Sequence, residues 1–158
     1  MPSGDIRKVP AGSVLLAQID ADKRRDEPVF DKGEEHKIRS CADEPGSGSC
    51  PVRAPEYHDL TGDGQDELIV GVQSSSNNLL IIYAYMLKNG VVTSILGSTS
   101  SPHSVEVADH KLIIHEPGDA PGYESRTVYA WSARHQVMTI QDVGYGRRAP
   151  ASATPSGR

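Results

Sequence analysis

An unbroken apolar run followed by a tight-turn signal constrains the fold of this chain more than any other feature. Residues 79–87 are almost wholly apolar, and Lys88-Asn89-Gly90 follows directly. A strand that is apolar on both faces has to be covered on both sides. Asn-Gly is the strongest short signal for a hairpin, because both turn positions need a positive φ. The pattern therefore predicts a buried strand that returns antiparallel through residues 91–96.

Further short segments of strand character continue this pattern through the rest of the chain. They are residues 67–72, 104–107, 111–115, 127–131 and 137–143. Local turns separate most neighbours, including one at Asp109-His110, and this arrangement is typical of an antiparallel meander. One N-terminal helix is predicted over residues 13–26, because Ser13 can cap it and the apolar residues that follow share one face. The predicted class is α+β, mainly β, as a sandwich or an open barrel.

Composition predicts one globular domain, residues 13–146, between two polar ends. Residues 1–12 are expected to be disordered and residues 147–158 to form a flexible tail, because neither segment can bury a core. The net charge of −5 gives no footprint for nucleic acid or an anionic membrane. No apolar run approaches the roughly 20 residues that span a bilayer. We therefore expect neither a nucleic-acid partner nor a transmembrane segment.

The only two cysteines, Cys41 and Cys50, bracket a short polar loop. Closing such a loop with a disulfide stabilises the fold by roughly 2.5–3 kcal/mol in the chain-entropy treatment. A metal site would need more cysteines or histidines at short spacing, so the remaining alternative is two unrelated free thiols. A disulfide indicates an oxidising compartment. We therefore expect an extracytoplasmic protein of the cell envelope or a secreted one.

The sharpest chemical motif is Asp59-Leu60-Thr61-Gly62-Asp63-Gly64-Gln65-Asp66-Glu67. Oxygen-bearing side chains stand at Asp59, Thr61, Asp63 and Glu67, and Gln65 can add its backbone carbonyl. Calcium takes six to eight oxygen ligands, and a loop coiled around it turns every second residue inward. Gly64 stands where the chain must turn sharply. The motif predicts a calcium site with these five ligands, and the alternative is an Asp/Gly turn without metal.

An EF-hand does not fit this loop, because Val70 stands where a bidentate Glu is needed and a strand former follows. The loop instead resembles the calcium loops of FG-GAP, integrin-type propeller blades, in which an Asp-rich loop leads directly into a strand. The resemblance covers residues 59–72 and implies the same five ligands. Glu67 in place of Asp is a departure, and the lack of further copies argues against a propeller.

A longer resemblance rests on the front helix, the cysteine pair, Leu60-Thr61-Gly62 and Tyr129-Ala130-Trp131. Together these features resemble small actinobacterial envelope lipoproteins of the type encoded beside the cell-envelope-stress sigma factor. The resemblance implies a non-catalytic, regulatory envelope protein. The absence of a lipid-attachment cysteine from this chain is a departure from that pattern.

A partner-binding surface is predicted at the loop of residues 116–124, which is long for a hairpin connection. We expect Tyr123, with Asp119 and Glu124, to contact another envelope protein, since aromatic residues are enriched in binding hot spots. The alternative is that Tyr123 packs back onto the sheet.

Catalysis is not expected, because the six histidines stand singly and no nucleophile elbow, zinc-protease pair or phosphate-binding loop occurs. The alternative is a secreted hydrolase or a hydrolase accessory domain, since a triad can be assembled from distant residues. A purely structural module is the third possibility.

Overall fold

Two four-stranded antiparallel sheets form most of the molecule, and two helices pack on one of them. The computed structural model describes residues 5–74, 79–102 and 104–147. A 3₁₀ helix at Ile6–Lys8 precedes helices α1 (Ala11–Arg24) and α2 (Lys32–Cys41). The first sheet has the order β1 (Glu56–His58), β2 (Glu67–Gln73), β3 (Leu80–Lys88) and β4 (Val91–Ser100). The second has the order β5 (Ser104–Ala108), β6 (Lys111–Pro117), β7 (Tyr123–Ser132) and β8 (Val137–Arg147).

Strand β3 lies between two cores and is covered on both faces, as its apolar run predicts. Ile81 and Tyr83 pack with buried residues of α1 and α2. Leu80 and Ile82 point the other way and pack with buried residues of the second sheet. The predicted class, α+β and mainly β, is confirmed, and so is the antiparallel meander. The two sheets form an open sandwich and not a closed barrel.

Both predicted hairpin turns have the backbone conformation that their residues favour. Asn89 and Gly90, between β3 and β4, have φ values of 52° and 79°. Asp109 and His110, between β5 and β6, have φ values of 53° and 62°. Positive φ at both central positions matches the right-handed twist of the flanking strands. The turn sequences therefore fix the register of both hairpins.

The N-terminal segment differs from the sequence expectation at residues 5–12. Ile6 is buried in the core shared by the helices and the first sheet, and Ala11 already begins α1. Ile6 and the partly buried Val9 pack this polar segment against the domain. Residues 1–4 and 148–158, where the rest of the predicted disorder falls, lie outside the described residues.

The front helix begins two residues earlier than predicted, and Ser13 lies inside its first turn. Pro10 occupies the N-cap position and makes no side-chain capping bond. Proline suits such a helix start because its missing N–H would have no partner there. Helix α2 was not predicted at all. It begins with a capping box, in which Asp31 and Glu34 each accept the other's backbone N–H.

Cys41 and Cys50 are joined by a disulfide, with their Cα atoms 5.8 Å apart. The bond links the last residue of α2 to the segment that leads into the isolated bridge between Val52 and Val72. The prediction of a disulfide is therefore confirmed, and the alternative of two free thiols is excluded. The bond fixes the end of the second helix to the first sheet.

Candidate metal centre

The acidic loop connects β1 to β2, and Glu67 is the first residue of the second strand. Gly62 and Gly64 have φ values of 82° and 87°, a region that glycine adopts without the steric penalty of a Cβ. A Cβ built at either glycine would meet no atom within 4 Å. The glycines are therefore needed for the backbone conformation and not for space. This outcome agrees with the sequence interpretation of Gly64.

Three carboxylates of the loop converge on one point. Asp59, Asp63 and Glu67 each offer an oxygen, and these oxygens lie within 4.8 Å of one another. Two oxygens on opposite sides of a calcium ion are about 4.6–5.2 Å apart, because each bond is 2.3–2.6 Å long. The three oxygens are therefore close enough to surround a single cation. This geometry can hold a metal ion.

Backbone N–H groups orient two of these carboxylates and leave room for a cation. Asp59 accepts from Gly62 N at 2.7 Å and from Gly64 N at 2.9 Å, one bond to each oxygen. Asp63 accepts from Gln65 N at 2.9 Å. A carboxylate has about four lone-pair sites, so both side chains keep further acceptor capacity. Burial raises the pKa of Asp59, but the bonds from Gly64 and Gly62 and the nearby His110 together lower it.

Glu67 is the buried member of the three, with only 2% of its surface exposed. One of its oxygens accepts from Leu60 N at 2.6 Å and from Thr61 N at 3.1 Å. Burial raises the pKa of Glu67 most, and the negative charges of Asp63 and Asp59 also raise it, whereas the two backbone bonds lower it. The net result is a pKa of about 7. A cation beside Glu67 would neutralise this repulsion, so the residues present fit a metal ion.

The two remaining predicted ligands have different surroundings. The Thr61 hydroxyl is buried and has no hydrogen-bond partner among the described residues, and its own N–H bonds Glu67. A buried hydroxyl without a partner costs free energy, and a cation ligand role would satisfy it. The Gln65 side chain is exposed, which agrees with a role for its backbone carbonyl only. That role stays a prediction.

The structure adds two neighbours that the sequence did not indicate. His110, in the turn between β5 and β6, donates from Nδ1 to the backbone carbonyl of Asp59 at 2.7 Å. Arg7, in the N-terminal 3₁₀ helix, contacts Asp66 at 2.5 Å and lies over the ring of Tyr57. The loop therefore joins the N-terminal segment and the two sheets. The sequence predicted the turn at Asp109-His110, but no pattern in it indicated the contact of this turn with the acidic loop.

The predicted partner-binding loop is shorter than the sequence suggested. Glu116 and Glu124 belong to β6 and β7, so only residues 118–122 connect the strands. Asp119 and Tyr123 are exposed, and Arg147 lies over the Tyr123 ring. The side chain of Glu124 is largely buried and contacts His115 at 2.7 Å. Its place in a contact surface is therefore less favourable than the sequence implied.

His115 lies between two carboxylates on the outer face of the second sheet. Its Nδ1 is 2.7 Å from Glu124 and its Nε2 is 2.6 Å from Glu106. A neutral imidazole has a single N–H, so both bonds require the charged form. Burial lowers the pKa of His115, but the bonds to Glu106 and Glu124 outweigh burial and raise it. Arg126 lies opposite His115 on the neighbouring strand β7.

Replacing His115 with Gln should cost about 1 kcal/mol of unfolding free energy at pH 6, because charge-assisted bonds are lost. A histidine whose pKa is raised by folding stabilises the protein fully at pH values below its pKa in the unfolded chain, which is about 6.5. This stabilisation is lost as the pH rises through its pKa in the folded protein. The difference between wild type and His115→Gln should therefore shrink from pH 6 to pH 9 in denaturant titrations. His36→Gln, at an exposed position on α2, is the control. A difference that grows with pH would contradict this assignment.

A groove of about 580 Å³ lies between α1 and β4. Tyr85, which lines the groove, donates to Gln18 at 2.8 Å, and Gln18 donates to Asp22 at 3.0 Å. No histidine or cysteine is among the described residues that line it.

Among the described residues, no helix is both long and apolar enough to cross a bilayer. Comparisons of this chain with protein-family models, with curated proteins and with solved structures find no match.

Proposed function

We propose that this protein is a non-catalytic, extracytoplasmic binding or regulatory domain of the cell envelope, braced by one calcium ion. The observation that carries the proposal is the convergence of Asp59, Asp63 and Glu67 at the start of a buried strand. The partnerless hydroxyl of Thr61 supports it. Calcium is the ion of choice, because a mixed set of carboxylate, hydroxyl and carbonyl oxygens on a flexible loop suits its six to eight ligands.

Calcium would stabilise the structure and take no part in chemistry. The acidic loop that would hold it contacts Arg7 of the N-terminal segment through Asp66, and His110 of the second sheet through Asp59. An ion that fixes the loop would also fix these two contacts. A rigid scaffold with exposed loops is a common platform for recognition, which supports a binding role.

The envelope location draws support from the disulfide, because such bonds persist in oxidising compartments. The regulatory role, and the kinship with envelope lipoproteins encoded beside a stress sigma factor, come from the sequence resemblance. We place the contact with a protein partner at Asp119 and Tyr123, which are exposed at the turn between β6 and β7. Glu124 contributes to this contact at most through the small exposed part of its side chain, since that side chain is bonded to His115.

Calcium should stabilise the wild-type protein, and Asp63→Ala, which removes the side-chain oxygens, should abolish the effect. Modules of this kind bind calcium with dissociation constants of roughly 10⁻⁴–10⁻³ M. A tenfold excess over that constant adds about 1.4 kcal/mol to the free energy of unfolding. Melting curves in chelator and in calcium measure the gain, and isothermal titration calorimetry measures the affinity directly.

Asp43→Ala is the matched control, because Asp43 is exposed and lies outside the acidic loop. This variant should gain as much from calcium as the wild type. Identical wild-type melting curves in chelator and in calcium, with no calorimetric signal, would overturn the proposal. They would support the metal-free Asp/Gly turn.

A further inference from the structure

Two long edge strands lie on the same side of the sandwich. Strand β4 ends the first sheet and β8 ends the second, so each has a hydrogen-bonded neighbour on one flank only. They lie against each other, and Ser98 of β4 also contacts Tyr129 of the neighbouring β7 at 3.3 Å. The opposite side is different. Its edges, β1 and β5, have three and five residues, and the contact between His110 and the acidic loop covers it.

The β4/β8 side carries few of the charges and prolines that guard an open edge. Soluble proteins protect long edges with charged residues, prolines, β-bulges or covering segments, since unpaired N–H and C=O groups invite another strand. Strand β4 has no charged residue and no proline. Strand β8 has only Asp142 and Arg147, although charged residues make up 23% of the chain. Each strand has one bulge, near Ile95 and Gln141, which confines regular edge pairing to the segments on either side of it.

Exposed apolar side chains concentrate on the same two strands. The described residues include six large hydrophobic side chains that stay exposed: Val29, Val91, Tyr123, Ile140, Val143 and Tyr145. Four of the six belong to β4 or β8. Tyr145, on β8, is 81% exposed. Exposed apolar surface that collects in one place marks an interaction site.

We infer that the β4/β8 side is the interface of a homodimer, in which a second copy continues both sheets by antiparallel edge pairing. A two-fold axis perpendicular to the sheets brings β8 beside its own copy and β4 beside its own copy in one step. Any other partner would have to present two strands with the same separation and the same directions as β4 and β8. A second copy meets both conditions by symmetry.

The self-pairing register of β8 is favourable for its side chains. Side chains alternate between faces, so an axis through Gly144 keeps the apolar face of both copies on one side. Val143 then lies opposite Tyr145 of the second copy, an aliphatic–aromatic pair of the kind that stabilises sheets. Asp142 lies opposite Gly146, so like charges are not brought together.

The size of the paired region suits a dimer that dissociates on dilution. In the register through Gly144, residues 141–147 of the two copies lie opposite one another along about 23 Å, and two sheets about 10 Å apart are roughly 20 Å thick with their side chains. The pairing therefore offers on the order of 500 Å² per copy, at the low end of protein interfaces. The inference does not depend on calcium and goes beyond the proposed function.

Sedimentation equilibrium of the whole chain over a range of concentrations tests the inference. The wild type should show about twice the 17.0 kDa mass of one chain. Val143→Lys should weaken the dimer at least about tenfold, because it replaces the apolar partner of Tyr145 of the second copy with a charge. Val29→Lys is the matched control, since both valines are 47% exposed and Val29 lies between the helices. This control should leave the dimer unchanged.

Tyr145→Lys is a second variant, because so exposed a side chain is not needed for folding, and it should also yield monomer. Circular dichroism confirms that each variant is folded. A wild type that is monomeric at every concentration would overturn the inference. A dimer that survives both β8 substitutions, or one that Val29→Lys weakens equally, would overturn it as well. Larger open assemblies would show that the contact does not close about a two-fold axis.

Discussion

Replacing Cys41 and Cys50 with serine should lower the free energy of unfolding by about 2.5–3 kcal/mol. The disulfide closes a loop with a sequence separation of nine residues, so its loss mainly returns conformational freedom to the unfolded chain. Domains of this size are commonly stable by only about 5–15 kcal/mol. The loss should therefore be plain in urea titrations under oxidising conditions, as a lower midpoint.

Ser49→Ala is the control for the disulfide, because Ser49 lies in the same loop and is exposed. It should leave the unfolding midpoint within about 0.5 kcal/mol of the wild type. Reduction of the wild type should reproduce the effect of the double serine variant. Equal stability of the double serine variant and the wild type would show that the bond adds nothing to the fold.

Seven of the eight strands of the described residues were predictable because their signals are local, and the three-residue β1 was not predicted. The apolar run of β3 requires cover on both faces, and Asn89-Gly90 has the backbone freedom that a tight hairpin needs. Patterns of this kind act within a few residues. The end of β4, the start of β7 and the end of β8 extend beyond the predicted ranges, because a strand end depends on its partner. Residues such as Ser98 and Glu124 carry no strand signal of their own.

Helix α2 was missed because its stability comes from polar contacts. Ile38 is its only buried residue, so no apolar face marks it in the sequence. The capping box at Asp31 and Glu34 fixes its start. Arg39 then binds Glu35 on its own helix and Asp20 on α1, at 2.7 Å and 2.8 Å. The capping residues are a local signal that could have revealed it, whereas the contact with α1 depends on tertiary structure.

The acidic loop was predictable in its residues but not in its surroundings. Alternating oxygens from Asp59 to Glu67 are visible in the sequence, and the structure brings three of the carboxylates together. The contacts of His110 and Arg7 join residues that are 51 and 59 positions from their partners. Such pairs arise only when separate elements pack, so no local pattern announces them.

Glu67→Ala should cost about 3–4 kcal/mol, the largest loss that we expect from a single substitution in the loop. The variant leaves the N–H groups of Leu60 and Thr61 without their acceptor, and each such buried group costs about 1–3 kcal/mol. The loss should already appear in chelator, as a lower midpoint in denaturant titrations, and it should be larger in calcium because the variant also lacks a ligand. Glu56→Ala is the control, because Glu56 is exposed on the neighbouring strand. Equal midpoints for the two variants would contradict a structural role for Glu67.

Glu67→Gln separates the charge of this side chain from its hydrogen bonds. Glutamine keeps an oxygen that can accept both N–H bonds and removes a carboxylate whose pKa is raised to about 7. In chelator, wild-type stability should fall as pH rises from about 4.5 to about 7, because the unfolded chain releases this proton first. Glu67→Gln should lack that decline, match or exceed the wild type in chelator at pH 8, and gain nothing from calcium. A variant that still gains stability from calcium would remove Glu67 from the ligand set, whereas one that loses as much as Glu67→Ala would show that glutamine cannot replace the bonds.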